Sequence, residues 1–295
     1  MSSTLNSTTA TVLRLFRDYP LSTFTVLACF FGWTPFTLTA LGLAEGTPSN
    51  IPPGVVVAAL VVTACQGRQG LSSWARQLRR WRAKPGWYAF AFLAPISLVV
   101  LSVTVNHLFG APLPTGEQLG DWPRAVGGGF VFMLVYVGLG EEAGWMAFAA
   151  PILLQRHSFF EAWARLSALR LVWHLPILLT GEVPWVFGIL GMLSMQLIML
   201  LMLHAARGPW TLAAVWHASL NATGGQFFFQ MVSGPDNAHL GWLQAIAYTS
   251  AAVAFLLWVR HRRTTTPLSA QAARTAAPDM LYLAPSTTVP GSRHA

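Results

Sequence analysis

Two adjacent glutamates, Glu141 and Glu142, lie in a stretch that otherwise reads as membrane-spanning helix. Two histidines, His174 and His217, and an asparagine, Asn221, lie inside later apolar stretches of the same kind. Ionisable groups in a bilayer cost about 2.5–3.5 kcal/mol each on insertion scales, so they persist where they line a pathway or a site. The i,i+4 spacing of His217 and Asn221 puts them on one helix face. Together these side chains suit peptide-bond hydrolysis. A carboxylate beside a water acts as general base. Imidazoles hold that water or protonate the leaving amine. A carboxamide donates to the developing oxyanion, a role worth about 2.7–4 kcal/mol of barrier. The residue types leave two other chemistries open. His174, His217 and Glu141 could ligate zinc, although the chain has no HExxH helix. The buried carboxylates could also serve a transporter as a proton relay. Transporters more often show repeated halves or paired broken helices, and neither is evident here.

The elements that must position these groups follow from composition. Of 295 residues, 54% are hydrophobic and 9% charged, against about 25% charged in an ordinary soluble domain. The expected fold class is therefore an all-α polytopic membrane protein. Eight spans are expected, at about 21–43, 53–67, 86–109, 125–150, 161–180, 184–204, 209–231 and 239–259. Pro52, Pro53, Pro85, Pro123, Pro184 and Pro209 stand at span starts. Trp87, Trp122, Trp185, Trp210 and Trp242 fall near span ends, as in an interfacial aromatic belt.

Basic residues occupy alternate loops. Arg14 and Arg17 precede the first span, Arg68 to Lys84 fill the loop after the second, and Arg260, Arg262 and Arg263 follow the eighth. This places both termini in the cytoplasm. It also assigns the net charge of +8 to topology and a lipid bilayer partner, not to nucleic acid. The chain divides into a cytoplasmic N-terminal segment (1–20), N-terminal helices with a basic loop (21–124), a core carrying the polar residues (125–231), a last helix (232–263) and a tail (264–295) expected to be disordered. Residues 68–84 read either as an amphipathic helix on the inner surface, with Trp74 and Trp81 dipping into lipid, or as a topology-setting loop. Cys29 and Cys65 read as small buried apolar residues.

With a rise of about 1.5 Å per residue, Glu141, His174, His217 and Asn221 lie about 15, 20, 12 and 18 Å from the inner ends of their spans. All four reach the middle of the bilayer, where the sequence allows them to meet. Glu141-Glu142-Ala143-Gly144-Trp145, Trp173-His174-Leu175-Pro176 and His217-Ala218-Ser219-Leu220-Asn221 resemble the three motifs of the CPBP intramembrane proteases, also called Abi. That family includes type II CAAX prenyl endopeptidases and bacteriocin-immunity proteins. The resemblance covers roughly 125–230, with three short motifs in order, each in its own span. It implies an all-helical fold and a peptide or membrane-associated protein substrate. It further implies that Glu141 activates water, that Glu142, His174 and His217 complete the site, and that Asn221 stabilises the oxyanion. Both a metal-dependent and a metal-free glutamate mechanism are argued for the family.

Two positions depart from the family pattern. The first motif is EExxxR, and Met146 stands where the Arg belongs. The second motif usually has Phe four residues before its His, where Arg170 stands here. Arg170 shares a helix face with His174 and reaches the depth of Glu142. An unpaired Arg and an unpaired Glu in lipid would each be costly, so Arg170 is expected to replace the missing cation from across a helix interface. The competing expectation is a non-catalytic relative with an immunity or scaffold role.

Overall fold

The computed structural model describes residues 13–263. The expected disordered tail from 264 and most of the N-terminal segment lie outside the described residues. Within them the regular structure is helical, with no strand. The helices that matter here are α1 (Pro20–Ala40), α2 (Pro53–Cys65), α3 (Arg68–Leu78) and α4 (Pro85–Leu108). They are followed by α5 (Val126–Arg156), α6 (Phe159–Leu179), α7 (Phe187–Ala206), α8 (Thr211–Leu220) and α9 (Gly234–Arg263). Pro20, Pro53 and Pro85 sit in the first turns of α1, α2 and α4, where a missing N–H costs nothing.

Among the described residues, α1, α4, α5, α7 and α9 are long and apolar enough to cross a membrane. The remaining expected spans are also helical but differ in kind. α2 has only 13 residues. α6 has the length but carries Glu161, Arg165 and Arg170. α8 has 10 residues before its helix widens at Asn221. The outer surface is apolar, with Val26, Phe30, Leu60, Leu93, Val131, Val135 and Leu257 all exposed. Apolar faces this extensive need lipid or protein against them.

α5 is the axis of the bundle. Every residue from 140 to 153 is buried, so the helix is enclosed on all sides instead of presenting one stripe to a core. Glycines make this possible. A Cβ on Gly144 would lie 2.6 Å from Val55 Cγ1 and 2.9 Å from the Val55 carbonyl on α2. One on Gly138 would lie 2.8 Å from the Ala214 carbonyl on α8, and one on Gly140 would lie 3.1 Å from Pro53 N. Small residues let backbones approach where lipid supplies no hydrophobic drive between helices. α5 is also irregular. Its turns widen to i→i+5 hydrogen bonding at Leu134–Leu139 and Trp145–Ala149, on either side of the glutamates. Such π turns are rare and concentrate at functional sites.

α3 forms, but not as a helix dipping both tryptophans into lipid. Trp74 is buried in the bundle and its indole N–H donates to the Ala143 carbonyl at 3.1 Å. Trp81 is exposed, with the Arg82 guanidinium over its ring. Trp210, expected in the aromatic belt, is likewise buried, and its indole donates to the Leu78 carbonyl at 3.4 Å. In both cases the buried indole N–H donates to a backbone carbonyl of a neighbouring helix.

Candidate functional site

Glu141 and Glu142 follow one another on α5, so their side chains leave the axis about 100° apart. They meet different neighbours. Glu142 has no exposed surface and faces α6 and α8. Arg170 on α6 donates through Nη2 to both of its oxygens, at 2.8 and 2.7 Å, and Arg170 is itself wholly buried. His217 on α8 bonds Glu142 Oε1 through Nδ1 at 2.7 Å. A buried carboxylate held by two such partners is charge-compensated. The Arg170 guanidinium also lies over the Trp145 ring, 5.6 Å from its centroid, where the π face favours a cation.

Glu141 lacks this compensation. It is 3% exposed, and its Oε2 has no hydrogen-bond partner among the described residues. One carboxylate oxygen of Glu141, one of Glu142 and a ring nitrogen of His217 nevertheless lie within 4.8 Å of one another. The Trp145 indole, one turn on, is the side chain whose N–H is aimed at the Glu141 carboxylate. Buried polar atoms are nearly always paired, so the free Oε2 leaves Glu141 with an accepting position that Glu142 does not have.

His174 is fixed differently. Its Nδ1 bonds the Arg170 carbonyl at 2.8 Å. A carbonyl only accepts, so Nδ1 carries the hydrogen and Nε2 keeps its lone pair. The same logic gives His217 an Nδ1–H toward the Glu142 carboxylate and leaves Nε2 open. Second partners that set a tautomer in this way are typical of functional histidines. His174 lies within electrostatic reach of His217, Arg170 and Glu142, its ring edge-on to Trp173 with centroids 4.6 Å apart. Asn221 is half-buried. Its Nδ2 donates to the His217 carbonyl at 3.0 Å, and its own carbonyl accepts from Gln226 N at 2.8 Å, closing a π turn over Asn221–Gly225. Asn221 is thus tied to the residue that bonds Glu142.

The expected zinc set of His174, His217 and Glu141 is not the set that converges. The compact group is Glu141, Glu142 and His217, because His174 is anchored to its own helix at Arg170. Within that group Glu142 already spends both oxygens on a guanidinium. A divalent ion there would sit beside the buried Arg170 guanidinium, a like charge. The group that could hold a metal ion is therefore Glu141, Glu142 and His217, with His174 outside it.

Three supporting residues carry no sequence signal of a site. Trp74 braces the Ala143 carbonyl, next to Glu142. Trp33 Nε1 and Asn50 Nδ2 both donate to the Trp173 carbonyl, at 2.9 and 2.8 Å, one residue before His174. Met146, in place of the motif arginine, is buried and accepts from Gln196 Nε2 through its sulfur at 3.4 Å. No protein-family model matches this chain, and no curated protein matches it significantly.

Proposed function

We propose that this chain is an intramembrane endopeptidase of the CPBP type, set in the cell membrane with eight crossings and both termini cytoplasmic. It hydrolyses a peptide bond of a peptide or membrane-associated protein with a water activated by Glu141. The observation that carries this reading is the unequal state of two neighbouring carboxylates. Glu142 is locked by Arg170 and His217, whereas Glu141 keeps an unpartnered oxygen beside the same imidazole. Paired carboxylates whose surroundings push them into different roles are a common basis for acid–base catalysis.

In this mechanism Glu141 takes a proton from the water as the water's oxygen attacks the scissile carbonyl. The second Nδ2 hydrogen of Asn221 meets the developing oxyanion. Nε2 of His217 or His174 orients the water, and the proton held by Glu141 passes to the leaving amine. Glu142 and Arg170 touch no substrate. They fix His217 and hold the local charge near balance. No step is routed through a metal.

The test is cleavage of a fluorogenic peptide library by purified protein in lipid nanodiscs. Glu141→Gln should lower the rate by about 10²–10⁴, the usual worth of a positioned general base. Asn221→Ala should lower it by about 10²–10³. Chelation should leave the rate unchanged. Cleavage that survives Glu141→Gln removes the mechanism. A chelator-induced loss restored by zinc would transfer water activation to a metal. A folded protein that cuts nothing would favour the immunity or scaffold role.

A further inference from the structure

Away from the glutamates, a groove of about 870 Å³ opens between α4 and α9. The two helices run antiparallel. At one end Asn106 donates to the Asp236 carbonyl and accepts from His239; at the other Trp87 packs on Phe255 and Trp258. The groove's walls are Trp87, Phe90, Leu98 and Phe255, and its floor is Ile198 and Trp216. Its polarity is graded. Lys84 and Arg262 stand at the end where α4 begins and α9 finishes, and no acidic residue lines it among the described residues. From Lys84 to Leu98 the groove follows α4 for about 21 Å, longer than the roughly 15 Å of one leaflet's hydrocarbon.

The cationic end is built in advance. The Tyr88 hydroxyl bonds Thr211 Oγ1 at 2.6 Å and donates to the Trp81 carbonyl, pinning the segment that leads into Lys84. Arg262 is set over the Trp258 ring at 4.4 Å. A slot that is apolar along its length and basic at one end complements one kind of amphiphile. We infer that the groove between α4 and α9 seats an anionic phospholipid, its acyl chain along Trp87, Phe90 and Phe255 and its phosphate at Lys84 and Arg262. This inference is independent of the endopeptidase reading, since no residue of the Glu141–Glu142–His217 group takes part.

Native mass spectrometry of the full chain, released from micelles doped with dioleoyl-phosphatidylglycerol or dioleoyl-phosphatidylcholine, tests it. The wild type should retain single phosphatidylglycerol adducts in preference to phosphatidylcholine, by about fivefold for each basic side chain engaged. Lys84→Ala with Arg262→Ala should abolish the preference while keeping some binding of both lipids. Ala94→Trp, which fills the slot, should remove retained adducts of either lipid at an unchanged melting temperature. If Ala94→Trp unfolds the chain, the charge pair alone decides. Equal retention of the two lipids by the wild type overturns the inference, as does a preference that persists in the double variant. A protein dimer dissolved by Ala94→Trp also overturns it, because the occupant would then be a second copy.

Discussion

Arg170 is the residue on which the buried charge balance turns. Breaking a buried ion pair by removing one partner costs about 3–5 kcal/mol, because the other charge stays buried. Arg170→Leu should therefore lower thermal stability in detergent by several degrees and reduce peptide cleavage, since His217 loses a fixed Glu142. Arg170→Lys should recover only part of both, because an ammonium lacks the planar group that lies over the Trp145 ring. Unchanged folding and activity in Arg170→Leu would remove the charge-balancing role. Met146→Arg in the Arg170→Leu background should restore some stability, since position 146 lies one turn from Glu142 on the same helix. A melting temperature no higher than that of the single variant would show that only the cross-helix position serves.

At the scale of the element, α5 must be both closely packed and locally wide. Gly144 meets the Val55 side chain and backbone, and a backbone carbonyl cannot move aside. Gly144→Val should cost about 1–3 kcal/mol, as overpacking does, and should lower cleavage by separating α2 from the glutamate turn. Gly129→Ala is the control, since a Cβ there meets nothing within 4 Å; it should be neutral or stabilising by up to about 1 kcal/mol. Equal melting temperatures for the two variants would argue against a packing role for Gly144. Trp74→Phe removes the bond to the Ala143 carbonyl and nearly preserves the packing. About 0.5–1.5 kcal/mol should be lost, with a larger fall in kcat than in KM, because the loss falls on the turn bearing Glu141 and Glu142. Sequence patterning located the helices, since apolar length is their signature in lipid. It did not reveal the π turns at Leu134–Leu139 and Trp145–Ala149, which depend on how neighbouring helices fit. Of the two sequence readings of residues 68–84, the amphipathic helix puts Trp74 in lipid and the loop leaves its side chain unplaced, because composition alone cannot tell a tryptophan facing lipid from one facing protein.

At the scale of the whole molecule, the basic end of the bundle is the feature to test. Reporter fusions at the N-terminus and after Arg263 should both report the cytoplasm. Replacing Arg79, Arg80 and Arg82 with glutamate should give mixed orientations, since Lys and Arg near span ends set topology. Opposite locations for the two termini in the wild type would require an odd number of crossings. α2 and α8 are the helices whose shortness leaves room for that outcome.

The amino-acid order by itself determined a helical chain with an apolar exterior, and which few polar side chains it carries inside. That follows because a helix satisfies its own backbone in lipid, and each buried charge must have a use. The sequence already points to Arg170 as the cation for Glu142; only the tertiary structure decided that Glu142 also takes His217 while its neighbour keeps an open oxygen. Successive residues on a helix point about 100° apart, so what each glutamate meets is set by the helices packed around α5, not by its place in the chain.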